Sequence, residues 1–105
     1  MSSLRFEWDE AKNAANQRKH GVSFELASQA FDDPLYLSAP ERIEDGEERW
    51  QTFGLVNDVL LLMVAHTIRE DDTPELIETI RIITARKATP SERRRYENEN
   101  RKVYI

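Results

Sequence analysis

The N-terminal third of the chain has the spacing of apolar residues expected of two short helices. Asp9 is a good N-cap for the run EAKNAANQRKH, which is rich in helix-forming residues and stops at Gly21. Ser23 is a good N-cap for a second helix that ends at Asp33-Pro34. Apolar residues of this second helix recur at i, i+3 and i+7 and so predict one buried stripe: Phe24, Ala27 and Phe31.

Short extended segments flank these helices. Residues 5–8 fit either a short strand or an extended lead-in to the first helix. Residues 35–39 are a candidate for a short strand after the second helix. The segment that follows, PERIEDGEE, is predicted to be a polar loop because it lacks a sustained apolar period.

The middle of the chain has the pattern of a β-meander. Residues 49–56 and 59–69 are predicted strands joined at Asn57-Asp58, a two-residue hairpin signal. Residues 59–65 are apolar at nearly every position, which predicts a central strand covered on both faces. A further strand is predicted at residues 76–86, where isoleucines alternate between the two faces.

The clearest local signal is the capping box Thr89-Pro90-Ser91-Glu92, which predicts a helix to about Lys102 with Tyr96 facing inward. The element order is therefore helix, helix, an antiparallel three- to four-stranded sheet, then helix. We predict an α+β fold with helices packed against a sheet. No repeat or linker is visible, so residues 1–105 are treated as a single domain.

Charge is distributed unevenly along the 105 residues. The net charge is −5, yet residues 32–78 carry 13 acidic against 3 basic side chains, whereas residues 81–105 carry 8 basic against 3 acidic ones. This asymmetry predicts an acidic and a basic surface on one small body, and a solvated charged face is the alternative. There is no cysteine and no apolar run long enough to span a membrane, so we expect a cytoplasmic protein.

Several common catalytic motifs are missing from the sequence. It contains no Gly-rich phosphate loop, no H-E-x-x-H pair and no G-x-S-x-G elbow. The many acidic residues lack regular metal-ligand spacing, so neither a metal site nor a cofactor is expected. The candidate chemistry that remains is catalysis by cationic side chains. RNA can be cleaved without metal when one group takes the 2′-OH proton, another donates to the 5′ oxygen, and cations stabilise the phosphorane.

The cations suited to that chemistry lie at or near the ends of predicted elements: Lys19, His20, His66, Arg69, Arg81 and Arg86. Histidine ordinarily titrates near neutral pH, and the guanidinium fork of arginine can bind two phosphate oxygens. Strand alternation predicts that Arg81 and Arg86 point to opposite faces of their strand. The arginines would then converge only if the strands twist or bulge.

Each of these residues also has a purely structural interpretation. Lys19 and His20 suit the C-terminal turn of a helix, where the dipole favours cations. Arg81 is expected to pair with a carboxylate such as Glu78 or Asp9. The remaining structural alternatives are a solvated strand end for Arg69, a hydrogen-bonded semi-buried site for His66, a core position for Trp8 and a solvated helix face for Arg93 to Arg95.

Four segments together resemble the BrnT family of bacterial type II toxin–antitoxin toxins: FEWDEAKNAANQRKHGVSFELASQAFDDP, GEERWQTFGLV, VAHTIR and IRIITARKATPSERRRYEN. They run in the same order as in the family, from Phe6 to about Asn98. The motifs W-D-x-x-K, K-H-G and R-I-I-x-A-R are short one by one. Together with the tail E-R-x-x-Y, these motifs are a specific signature of the family.

This resemblance implies a RelE-like fold and a metal-independent ribonuclease that cuts mRNA and inhibits translation. It also implies a BrnA-like antitoxin that binds the toxin, typically as a heterotetramer, and supplies the contact with operator DNA. Carried onto matching positions, it makes Lys19, His20, Arg69 and Arg86 the catalytic candidates. Trp8, His66, Arg81 and Arg93 are second-tier candidates for RNA binding.

Two further expectations accompany the resemblance. The turn EDDTPELIET is longer and more acidic than the family leads us to expect, which would alter partner contacts or repel RNA locally. The alternative function is a catalytically inactive binding module that acts as a corepressor with a small DNA-binding antitoxin. A stand-alone DNA-binding protein is disfavoured by the negative net charge and by the absence of a convincing recognition helix.

Overall fold

The computed structural model describes residues 3–71 and 77–101. Three helices and five strands follow one another in the order β1, α1, α2, β2, β3, β4, β5, α3. The strands are Ser3–Glu7 (β1), Leu37–Glu44 (β2), Glu47–Val56 (β3), Leu60–Glu70 (β4) and Ile77–Lys87 (β5). The helices are Glu10–His20 (α1), Phe24–Ser28 (α2) and Pro90–Arg101 (α3), with a 3-10 turn at Gln29–Asp32 after α2.

The five strands form one sheet in the order β1-β5-β4-β3-β2. The strands β2 to β5 are joined as an antiparallel meander, whereas β1 pairs with β5 in parallel. The predicted α+β arrangement is therefore confirmed, with one or two more strands than expected. The N-terminal segment is a true strand, because it pairs with β5 from Ser3 opposite Ile77 to Glu7 opposite Arg81.

Two hairpin turns show where the sequence was and was not informative. The turn at Asn57-Asp58 is confirmed, and both residues have positive φ angles of 54° and 63°, as a tight hairpin needs. The predicted polar loop at residues 40–48 is wrong. Those residues extend β2 and begin β3 around the turn Asp45-Gly46, with φ angles of 52° and 81°.

Helix boundaries follow the capping signals closely. The Asp9 carboxylate accepts from the backbone N–H groups of Ala11 and Lys12 at the start of α1, and Gly21 ends that helix in the left-handed conformation with φ 70°. Ser23 caps α2 through the N–H of Leu26. The second helix is shorter than predicted because the chain tightens into the 3-10 turn before Asp33.

The sheet separates two apolar clusters. On one face, which we call the helix-pair face, residues of the α1–α2 region pack against alternate positions of the strands, including Leu62, Val64, Ile80 and Ile82. On the other face, which we call the α3 face, Tyr96 packs against Phe53, Leu61, Met63 and Ala65. Residues 61–67 are all buried, so the prediction of a central strand covered on both faces is confirmed for β4, while Val59 lies exposed in the turn.

A bulge in β5 changes which side chains share a face. Ala65 pairs with Thr84 but His66 pairs with Ile82, so Ile83 is an extra residue in β5. The extra residue reverses the alternation between Arg81 and Arg86. The prediction that these two arginines point to opposite faces is therefore wrong, because both lie on the α3 face.

Two sequence expectations fall on residues that the structure does not describe. Residues 72–76 are the middle half of the acidic turn EDDTPELIET, and residues 102–105 include the predicted end of α3 at Lys102. Within the described ranges, no helix is long and apolar enough to cross a membrane.

Candidate active site

Asn16 fixes α1 against the exposed edge of β5. Because β1 ends at Glu7, opposite Arg81, no strand of the described ranges pairs with that edge further along. The Asn16 amide takes the place of a strand: its Nδ2 donates to the carbonyl of Ala85 at 2.8 Å, and its Oδ1 accepts from the N–H of the same residue at 3.2 Å. Asn16 is buried, so this amide positions the C-terminal turn of α1 beside the strand.

A shallow basic pocket of about 210 Å³ lies between that turn and β5. Residues of α1 at positions i, i+3, i+4, i+7 and i+8 form one wall, so they share one helical face. The bulge of β5 forms the other wall. The lining residues are Lys12, Ala15, Asn16, Lys19, His20, Ile83 and Thr84, with no carboxylate among them.

Lys19 and His20 are available to a ligand in this pocket. Lys19 is exposed and His20 is partly exposed. Neither side chain makes a hydrogen bond or ion pair with a residue of the described ranges. The helix end is capped by the backbone N–H of Gly21, which donates to the carbonyl of Gln17 at 2.9 Å, and not by the imidazole. The His20 ring therefore takes no part in capping α1.

Arg86 lies two residues beyond Thr84 on the same strand and is tied to α3. Its guanidinium donates two parallel hydrogen bonds to Glu92, from NH1 to Oε1 at 2.8 Å and from NH2 to Oε2 at 3.0 Å. Hydrogen bonding to Arg86 lowers the pKa of Glu92 below its ordinary value, and the same contact raises the pKa of Arg86. The pair is partly exposed, since 31% of the Arg86 side chain remains accessible.

Arg69 and Arg81 share a carboxylate at the other end of the sheet. Arg69 NH1 lies 3.3 Å from Glu7 Oε1, and Arg81 NH1 lies 3.6 Å from the same oxygen. Arg69 also contacts Asp71 at 3.4 Å. The expectation that Arg81 pairs with Glu78 or Asp9 is therefore wrong in its partner. The acceptor is Glu7 because β1 adds to the sheet in register with β5.

The four catalytic candidates do not form one compact cluster. Arg69 lies on β4, opposite Thr79 of β5. Thr79 precedes Arg86 by seven residues, which corresponds to roughly 20 Å along β5. The basic pocket lies between Arg81 and Arg86, at Ile83 and Thr84. The fold thus brings Lys19 and His20 to the same stretch of β5 as Arg86 and leaves Arg69 at the far end.

His66 is buried and belongs to the core. Only 1% of the residue is accessible, and its ring packs edge-on against Phe31 at a centroid distance of 5.1 Å. Nε2 shares a 2.7 Å hydrogen bond with the Thr52 hydroxyl, which in turn contacts Ser38 at 2.6 Å. Burial lowers the pKa of His66 to about 4. The ring is out of reach of solvent in this structure, which fits the hydrogen-bonded core interpretation of His66, and its contact with RNA stays a prediction.

Trp8 and Arg93, the remaining second-tier candidates for RNA binding, each make a few contacts within the protein. Trp8 is half-buried, packs edge-on against Phe24 and donates from Nε1 to the Glu10 carboxylate at 2.6 Å. Most of its ring is therefore committed to the core. Arg93 is exposed on α3 and donates to the carbonyl of Val59 at 3.4 Å. Its contact with RNA stays a prediction.

Sequence reasoning overlooked two groups of cations. Lys12 lines the basic pocket, and its spacing of i, i+7 from Lys19 on a predicted helix was a signal that could have found it. Arg5, Arg42 and Arg49 lie on the α3 face by strand register. With Arg69, Arg81 and Arg86, every strand of the sheet contributes at least one arginine to this face, which no short motif reveals.

The chain was compared with known proteins at three levels. A family model described as "Ribonuclease toxin, BrnT, of type II toxin-antitoxin system" matches residues 8–92. Among solved structures, the crystal structure of the Brucella abortus ribonuclease toxin BrnT is similar, with a TM-score of 0.55 and 23% sequence identity. That match covers 83% of this chain and 99% of the Brucella chain, and at this identity it shows the fold alone. No curated protein sequence matched.

The family match spans most of the chain, including α1, the whole sheet and the capping box of α3. It contains Lys19, His20, Arg69 and Arg86. The similar solved structure shows that the fold is also that of a BrnT toxin. The chain therefore belongs to the BrnT family of ribonuclease toxins of type II toxin–antitoxin systems.

Proposed function

We propose that this toxin is a metal-independent endoribonuclease that cuts mRNA at the basic pocket beside β5 and thereby inhibits translation. The observation that carries the proposal is the pair Lys19 and His20, held by Asn16 at the sheet edge without any partner among the described residues. Cations at a defined position that have no partner in the described residues are free to bind a phosphate ligand.

The proposed chemistry is cleavage by the 2′-OH of the RNA itself. The 2′ oxygen attacks the adjacent phosphorus, the bond to the 5′ oxygen breaks, and the products are a 2′,3′-cyclic phosphate and a 5′-OH. His20 takes the 2′-OH proton, and Lys19 neutralises the phosphate and donates to the departing 5′ oxygen. Arg86, two residues beyond the pocket, stabilises the charge that develops on the phosphorane.

The α3 face provides the surface along which we propose that the RNA lies. It carries Arg69 and Arg81 at one end and Arg86 at the other. Roughly 20 Å separates the ends, which is longer than one nucleotide. We therefore assign Arg69 and Arg81 to phosphates that flank the cleaved bond, with Arg93 on α3 as a further contact.

Purified toxin incubated with labelled RNA in EDTA tests this proposal. We expect cleavage at an undiminished rate and fragments that end in a cyclic phosphate. Expression of the toxin without its antitoxin should stop growth, and co-expression with a BrnA-like antitoxin should restore it. Loss of cleavage in EDTA, with recovery on adding Mg²⁺, contradicts the metal-independent mechanism but leaves the ribonuclease assignment of the family intact.

One observation favours a second candidate function, a corepressor without nuclease activity. Each of the three candidate arginines, Arg69, Arg81 and Arg86, is already paired with a carboxylate: Arg69 and Arg81 with Glu7, and Arg86 with Glu92. Paired arginines fit a structural role. Under this alternative the antitoxin still binds the toxin at operator DNA, but expression of the toxin alone leaves growth unaffected.

A further inference from the structure

The helix-pair face of the sheet is covered over only part of its length. Phe31, at the end of the helical layer, contacts Phe6 with ring centroids 5.3 Å apart and His66 at 5.1 Å. Two positions further along the same strands, on the same face, Leu4 and Ile68 are 41% and 37% exposed. The helical layer therefore ends at Phe31, and the described residues leave an apolar part of the sheet exposed.

An open depression of about 470 Å³ lies at this uncovered end. The half-buried Trp50 and the exposed Ile68 contribute its apolar surface. Four glutamates also line it, and no lysine or arginine does: Glu47, Glu48, Glu70 and Glu78. We call this surface, together with Leu4, the acidic apolar patch.

The glutamates of the patch lack compensating charge within the chain. Glu70 and Glu78 are direct cross-strand partners, an arrangement of like charges that destabilises a sheet. None of the four lining glutamates makes an ion pair within the described ranges, although arginines are abundant on the opposite face. A cationic ligand would therefore relieve repulsion that the isolated toxin retains, and RNA, as a polyanion, would be repelled.

We infer that the acidic apolar patch is a docking surface for the antitoxin and accepts a segment of it with apolar side chains flanked by lysine or arginine. The inference rests on the proposed function only in taking the antitoxin to be the partner. The glutamates of the patch favour a partner segment with positive charge. The exposed Leu4 and Ile68 favour a segment that also has apolar side chains. The patch lies at the end of β4 from Thr67 onwards, away from the basic pocket, so docking there leaves Lys19 and His20 uncovered.

The test measures the affinity of the purified antitoxin encoded beside this toxin, by calorimetry, for toxin variants with reversed charge. The patch variant is Glu48→Lys/Glu70→Lys. A matched control, Asp32→Lys/Glu97→Lys, makes the same change of charge at two exposed positions outside the patch. RNA cleavage by each toxin alone is measured in parallel. A milder variant, Ile68→Ser, probes the apolar part without changing charge.

We expect the patch variant to bind the antitoxin about tenfold or more weakly, the control to stay within about twofold, and both to cleave RNA like the wild type. Wild-type affinity should also fall as salt rises, more steeply than that of the patch variant. Equal affinity of patch variant and control overturns the inference, as does a patch that instead mediates self-association of the toxin. If no form cleaves RNA but the affinities differ as expected, the proposed function fails and the docking surface stands.

Discussion

Arg86 and Glu92 join the last strand to the last helix through two parallel hydrogen bonds of 2.8 and 3.0 Å. The same carboxylate accepts from the backbone N–H of Thr89 at 2.9 Å, and the Thr89 hydroxyl accepts from the N–H of Glu92 at 3.1 Å. Glu92 therefore completes the capping box of α3 and anchors the helix to the sheet at once. A residue proposed to act on RNA thus also supports the fold.

Replacing either partner of this pair should destabilise the toxin. We expect Arg86→Ala and Glu92→Gln each to lower the free energy of unfolding by about 1–2 kcal/mol, measured by urea denaturation, because each leaves a partly buried polar group without its partner. Arg95→Ala, which removes an exposed arginine of the same helix, is the matched control and should change stability little. If Arg86→Ala were as stable as the control, the pair would not anchor α3.

The two variants should differ in RNA cleavage. Glu92→Gln keeps the guanidinium of Arg86 and should retain most activity under conditions where it is folded. Arg86→Ala should lose activity as well as stability, because the cation next to the basic pocket is gone. Equal activity of Arg86→Ala and Glu92→Gln, both fully folded, would reduce Arg86 to a structural residue.

Acid should destabilise the toxin through His66. Its pKa is about 4 in the folded chain against an ordinary 6.5, so the unfolded chain binds a proton below pH 6.5 while the folded chain does not. Stability therefore falls as the pH drops from about 6.5 to about 4, by up to about 3 kcal/mol. Glu92, whose folded pKa is lowered, adds stability that is present above its ordinary pKa of 4.5 and is lost as the pH falls through the folded value.

Urea unfolding between pH 7 and pH 4.5 measures the contribution of the histidine. His66→Gln should flatten the dependence of stability on pH over that range, whatever it does to stability at pH 7. Thr52→Val removes the hydrogen bond to the ring but keeps the titrating group, so it should preserve a steep dependence. An unchanged slope in His66→Gln would show that acid acts through another group.

Asn16 offers a test of how the pocket is positioned. Asn16→Asp keeps the shape of the side chain but cannot donate to the carbonyls of Val22 and Ala85, and it turns a buried carboxylate towards them. We expect a loss of about 3 kcal/mol in unfolding free energy. The control Gln17→Glu makes the same chemical change at the exposed neighbouring position and should be nearly neutral. Comparable stability of the two variants would show that α1 is held by other contacts.

Much of the fold was predictable because its signals are local. The cap at Asp9, the turn at Asn57-Asp58 and the capping box at Thr89 each depend on a few consecutive residues, and all are confirmed. The parallel pairing of β1 with β5 was not predictable in the same way. It depends on residues more than 70 positions apart, such as Phe6 and Ile80.

The site was less predictable than the fold because it depends on a bulge. One extra residue, Ile83, puts Arg81 and Arg86 on the same face, and a single sequence gives no sign of it. The amide of Asn16 is equally hidden, since a polar residue on a predicted helix gives no hint that it replaces a strand. By contrast, the sequence did predict that Lys19 and His20 would lie in the last turn of the first helix.

The rate of RNA cleavage by His20→Ala in EDTA tests the central claim most directly. Arg18→Ala is the matched control, because Arg18 is an exposed cation on the same helical turn that does not line the pocket. We predict that His20→Ala, folded like the wild type by thermal unfolding, cleaves about 100-fold more slowly or worse, while Arg18→Ala stays within a few fold. Equal cleavage by wild type and His20→Ala would contradict the account and place the chemistry elsewhere on the toxin.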